Sequence, residues 1–186
     1  MRFPRVATFD GFAPRSVRNE MSDLLNLFIG PPIVTFAVAE SLTCGRVQAA
    51  IGSISGASAF FLGGITAYTL DQKVKHLGVN RAQAEACDCV SAAIAAQMAV
   101  GVCRLFGSEL GAGTTGYAEP NASAGYPHPS AFWAIARRAG AGGEATIVAQ
   151  GFLERPGLGR VAMQEAVTAE VVAALTDVLR KSRSGG

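Results

Sequence analysis

Residues Ile33 to Ala39 read I-V-T-F-A-V-A, and the run ends on Glu40-Ser41. Seven β-branched, small or aromatic residues with no polar alternation predict a strand buried on both faces. Such a strand needs helices on both sides, so the fold class is set early. The small-residue turn Ser41-Leu42-Thr43-Cys44 and a helix over Gly45 to Ile51 follow. This turn lies at the carboxyl edge of the strand, where open α/β folds place ligands. A hydroxyl at Ser41 is useful there as a nucleophile, and free helix amides can receive an anion. The ordinary alternative is an N-cap, which Ser and Thr supply before many helices.

Helical spacing of Val17, Met21, Leu24, Leu25 and Phe28 predicts a helix over Ser16 to Phe28, closed by Gly30-Pro31-Pro32. Gly63 to Leu70 reads as a second strand, and Asp71 to Leu77 as a short helix that carries Lys73. Arg81 to Ala86 is a weak helix, and Ala92 to Phe106 a long one with Ser91 as cap and Gly107 as stop. A third strand starts at Leu110 and runs into Thr114-Thr115-Gly116. The Pro/Gly/Asn/Ser-rich stretch from Glu119 to Pro129 is a surface loop. Strands over Ser130 to Arg138 and Ala145 to Leu153 are joined by a short glycine turn, hence antiparallel. Arg160 to Lys181 is a final amphipathic helix. The expected whole is a three-layer α/β/α sandwich with a mixed, partly parallel sheet. Residues 15–181 form its single domain, after an arm over 1–14 and before a disordered tail at 182–186.

Composition narrows the function. With 186 residues, 49% hydrophobic and 16% charged, the chain is a charge-poor globular domain. A net charge of +2 without a Lys/Arg block argues against nucleic acid as partner. Neither a secretory signal nor a membrane span is expected, so the location is read as cytoplasmic. Cys44, Cys87, Cys89 and Cys103, with His76 and His128, lack zinc-site spacing, so no metal or cofactor is expected. Ala59-Phe60-Phe61-Leu62 is hard to bury in so small a domain and points to a homo-oligomer.

A-E-S-L-T-C-G-R at Ala39 to Arg46 resembles the A-E-S-C-T-G-G signature of the CinA C-terminal domain family. Gly52 to Val79 is similar to that family's longest segment. Val90-Ser91, Thr115-Gly116 and Trp133 also match. The resemblance implies an amidohydrolase of the nicotinamide mononucleotide deamidase type, acting on a pyridine nucleotide and yielding ammonia. It implies Ser41 as nucleophile with Tyr68 and Lys73 as partners. Glu40, Thr43, Gly45, Arg46, Thr115, Gly116 and Arg160 would contact substrate. A Ser–Lys pair can split an amide without histidine. The alternative is a degenerate domain of the same family that binds a ligand or protein. Tyr68 as a rim aromatic and Lys73 as a solvated helix residue are the bland readings.

The chain departs from the family pattern at the signature turn, in the loop after Gly116 and on the approach to Trp133. Cys44 replaces a glycine, Arg46 replaces a small or apolar residue, and Y-A-E-P-N-A-S-A-G replaces I-A-G-P with its glycine run. Glu119 then puts a carboxylate where a phosphate would sit. Y-P-H-P-S-A-F-W replaces K-P-V-G-T-V-W, which removes a lysine. The nucleotide-binding N-terminal domain that often accompanies this family leaves no trace here and is expected on a separate chain.

Overall fold

The structure, a computed structural model, describes residues 23–140 and 142–184. Five strands form one sheet in the order β2-β1-β3-β4-β5. β1 (Phe36–Glu40) lies parallel to β2 (Phe61–Thr66) and to β3 (Leu110–Tyr117). β4 (Ser130–Arg138) runs antiparallel to β3, and β5 (Ala145–Glu154) antiparallel to β4. The sheet is therefore mixed, as the glycine turn between the last two strands predicts.

All five residues of β1 are buried, so it is an interior strand. Its alternate residues feed two cores. Phe36 and Val38 join the cluster under α1 (residues 23–29), α2 (Arg46–Gly52) and α6 (Arg160–Ser184). Ala37 and Ala39 face α3 (Leu70–Leu77), α4 (Arg81–Ala86) and α5 (Ala92–Phe106). Helices thus cover both faces in three layers. Small residues on β3 let α5 approach: a Cβ on Gly113 would lie 2.3 Å from the Ala95 carbonyl oxygen, and one on Gly111 2.5 Å from that of Ala99.

Several boundaries differ from the sequence reading. β1 starts at Phe36 instead of Ile33, because the chain is still leaving the Pro31-Pro32 turn and Ile33 is half exposed. β2 covers Phe61–Thr66 and not Gly63 to Leu70, since Phe61 pairs with Phe36 while Thr69 already caps α3. Phe60 is fully buried, stacked on Phe28 at 4.1 Å between ring centroids, so it is no part of an exposed cluster. Leu62 alone of that cluster is an exposed large hydrophobic.

The last helix runs past Lys181 to Ser184, where a disordered tail was expected. Arg183 explains the extension. Its guanidinium donates to the carbonyl oxygens of Leu27 (2.9 Å), Gly30 (2.6 Å) and Pro32 (2.9 Å). A cation there satisfies carbonyls left open at the end of α1. The arm over 1–14 and the start of the helix from Ser16 lie outside the described residues.

Candidate active site

The carboxyl ends of β1 and β2 share one edge because the strands are parallel neighbours. Ser41 leaves β1 at that edge and anchors to β3 through its amide, which donates to the Thr114 carbonyl at 3.1 Å. Lys73 arrives from the first turn of α3. Its ammonium nitrogen donates to Ser41 Oγ at 3.0 Å and to the Tyr68 backbone carbonyl at 3.0 Å. Lys73 is only 2% exposed and Ser41 7%. Burial pushes the Lys73 pKa below its ordinary value, while neighbouring Cys89 and Asp88 pull it back up in part. A lysine so placed can hold a free electron pair and accept the serine proton.

Glu40 shapes the turn from beneath. It is wholly buried, and its carboxylate accepts from the amides of Gly45 (2.9 Å), Val47 (3.1 Å) and Gln48 (2.8 Å). It is therefore engaged as a charged cap of α2 and has no free face toward a substrate. Cys44 and Gly45 take left-handed backbone, with φ of 50° and 92°, to bring the chain over that carboxylate.

The other sequence candidates fall into two groups. Thr43 is buried, its hydroxyl 2.8 Å from that of Thr114. The Thr115 hydroxyl donates to the Cys89 carbonyl at 2.7 Å, fixing the 87–90 loop behind Lys73. Arg46 turns toward α6, where its Nε donates to Gln164 Oε1 at 3.1 Å. It does not enter the cleft as a free cation. Tyr68, Gly116 and Arg160 do line a cleft of about 230 Å³, together with Leu42, Tyr117 and Glu119. Tyr68 is half exposed, and it is its carbonyl, not its phenol, that reaches Lys73. Arg160 donates to the Glu119 carboxylate across the cleft.

Three contributors gave no sequence signal. Asp88 and Cys89 stand in left-handed backbone, with φ of 48° and 62°, beside Lys73. Aspartate tolerates that conformation and cysteine rarely adopts it, and no local pattern marks either residue as part of the site. The Tyr117 hydroxyl donates to Asp88 Oδ2 at 2.6 Å, which holds its ring on the cleft wall.

A family model, the CinA C-terminal domain, matches residues 32–179. That span holds every strand and every element of the site. The chain belongs to the CinA C-terminal domain family. A CinA-like protein from a Picosynechococcus species is 49% identical over 86 residues, covering 46% of this chain and 20% of that protein. A putative competence-damage inducible protein from Halothermothrix orenii is 44% identical over 87 residues, covering 47% of this chain and 21% of that protein. The matched segment of this chain thus spans about a fifth of the length of these relatives.

Solved structures carry the same fold. A CinA superfamily protein from Klebsiella pneumoniae superposes with a TM-score of 0.77 at 22% identity, covering 89% of this chain and 98% of its own. A competence/damage-inducible protein from Agrobacterium tumefaciens gives 0.77 at 24% identity, covering 91% and 99%. The CinA signature thus falls on the turn between β1 and α2, where the backbone conformation explains its small residues. The departure at Cys44 keeps a left-handed backbone that glycine adopts without a Cβ penalty.

Proposed function

We propose that this CinA domain is an amidohydrolase that releases ammonia from a carboxamide on a pyridine ring, as nicotinamide mononucleotide deamidases do. One observation carries the reading: Lys73 Nζ and Ser41 Oγ lie 3.0 Å apart and both residues are buried. Neutral Lys73 takes the Ser41 proton as Oγ attacks the carboxamide carbon. The turn that follows Ser41 supplies backbone N–H groups for the oxyanion. Lys73 returns the proton to the departing nitrogen, and ammonia leaves an acyl-serine. Water, deprotonated by Lys73, then attacks the ester and frees the carboxylate and Ser41.

Ammonia measured from nicotinamide mononucleotide, its riboside and free nicotinamide tests this directly. Release by the wild-type protein and not by Ser41→Ala supports the reading. Absence of Ser41-dependent release from all three defeats it, in favour of a binding domain that retains the site without the reaction.

We also propose self-association and a cytoplasmic location. No helix among the described residues is long and apolar enough to cross a membrane. β5 is an edge strand, and its Ile147, Val148 and Phe152 are exposed. An apolar edge of this kind is a pairing surface. Sedimentation of wild-type protein should show an oligomer at micromolar concentration, and Phe152→Lys should shift it toward monomer. A wild-type monomer throughout that range counts against association.

A further inference from the structure

The cleft lined by Leu42 and Tyr68, the chain neighbour of Ser41 and the carbonyl partner of Lys73, has an unusual charge arrangement. Among its described lining residues, Arg160 and Glu119 are the charged ones, and they are bonded to each other. Arg160 therefore has its positive charge answered before any ligand arrives. Arg46, the next cation along this edge, is held by Gln164 and lies 4.0 Å from Glu165. Behind the wall, Asp88 adds a second carboxylate against Tyr117. A phosphate dianion entering this cleft meets Glu119 at the same guanidinium it would seek. The remaining walls favour a different guest. Tyr68 and Tyr117 line the same cleft, and aromatic side chains beside a carboxylate suit a flat organic cation.

We propose that Glu119 sets the substrate class of this cleft: a carboxamide on a cationic aromatic ring that carries no phosphate. The proposal rests on the amidohydrolase reading for its carboxamide, and on the Glu119–Arg160 pair and the two tyrosines for the rest. Glu119 acts as a counter-charge at the cleft rim, where its carboxylate already accepts from Arg160. It neutralises Arg160 against phosphate and faces a positive ring with its own charge. Both partners of the pair are about half exposed, so Glu119 can be replaced without disturbing the core.

Binding to Ser41→Ala protein, measured by calorimetry, separates selection from turnover. The probes are nicotinamide riboside, a cation without phosphate, and nicotinamide mononucleotide, the same ring with a phosphate. The riboside should bind about tenfold more tightly than the mononucleotide at low salt. Adding Glu119→Gln should reverse the order, weakening the riboside and strengthening the mononucleotide by about tenfold each. Glu119→Lys should widen the reversal. Preference for the mononucleotide in the Ser41→Ala background, equal shifts of both probes on Glu119→Gln, or no binding of either probe overturns the proposal. Ammonia release by the wild-type protein gives the independent readout. Release with a preference for the mononucleotide defeats the role of Glu119 and leaves the hydrolase standing. The expected binding reversal without any ammonia defeats the hydrolase and leaves the selection by Glu119 standing.

Discussion

Lys73 Nζ sits 3.0 Å from Ser41 Oγ although the two residues are 32 positions apart and on different elements. Parallel pairing of β1 with β2 produces that meeting, because Ser41 and the Tyr68–Lys73 segment both leave the sheet at its carboxyl edge. Ser41→Ala and Lys73→Ala should each lower ammonia release by about 10³-fold or more, since members of such a unit fail together. Lys73→Arg should not restore it, because a guanidinium does not give up its proton. Circular dichroism should show Ser41→Ala folded like wild type. Turnover within tenfold of wild type in either alanine variant would remove these residues from the mechanism.

The pH dependence follows from the same contact. Burial lowers the Lys73 pKa, so neutral amine appears below the ordinary lysine range of about 10.4. kcat/KM should rise with pH through that lowered value. Asp88 works against the shift by favouring the charged form. Asp88→Asn should move the inflection to lower pH, and asparagine tolerates the left-handed backbone and keeps an acceptor for Tyr117. Stability carries the opposite imprint of the charged form. The unfolded chain binds the extra proton between the lowered pKa and the ordinary one, so stability rises with pH across that window. Below it the buried charge weighs in full. An inflection that stays put in Asp88→Asn would show that another group titrates.

The three-layer architecture was legible because β1 has no polar alternation and the helices carry clear stops, such as Gly107 after α5. Ser41 was legible as a hydroxyl at a strand end. What the sequence did not carry was direction and partnership. Glu40 adjoins Ser41 but points under the turn, and Arg46 starts at the helix edge but turns to Gln164. Side chains of such reach choose among several partners, and sequence spacing does not decide which. Phe60 was misplaced for a related reason: its partner Phe28 lies across the fold on α1. Asp88 and Cys89 escaped notice because no local sequence pattern marks two successive left-handed residues beside Lys73.

Gly113 offers a test of the scaffold beneath the site. An added Cβ would meet the backbone of α5 at 2.3 Å from Ala95 O and 2.7 Å from Ala99 N. Neither atom is the end of a flexible chain, so strand and helix must separate. Gly113→Ala should cost about 2–3 kcal/mol in urea denaturation. A loss below about 0.5 kcal/mol would mean that α5 is not seated on β3 as described.

Glu40 supplies the sharpest distinction between holding substrate and holding the protein. Its two oxygens accept three amides of the α2 entry turn, and no part of the side chain is exposed. Charge matters in that position, because the carboxylate faces the positive end of the helix and the amides that open it. Glu40→Gln keeps the shape but turns an acceptor oxygen into a donor group aimed at amide hydrogens. It should destabilise the fold by about 2–3 kcal/mol. Glu40→Ala removes the side chain and leaves three buried amides without acceptors, so its loss should be at least as large. If Glu40 acts through the turn alone, activity should fall with kcat as Ser41 loses its register against Lys73, while KM for the carboxamide changes little. A residue that touched substrate in the ground state would raise KM in a fully stable protein. Urea denaturation and steady-state kinetics on the same Glu40→Gln preparation separate the two. Unchanged stability with a raised KM would return Glu40 to the substrate.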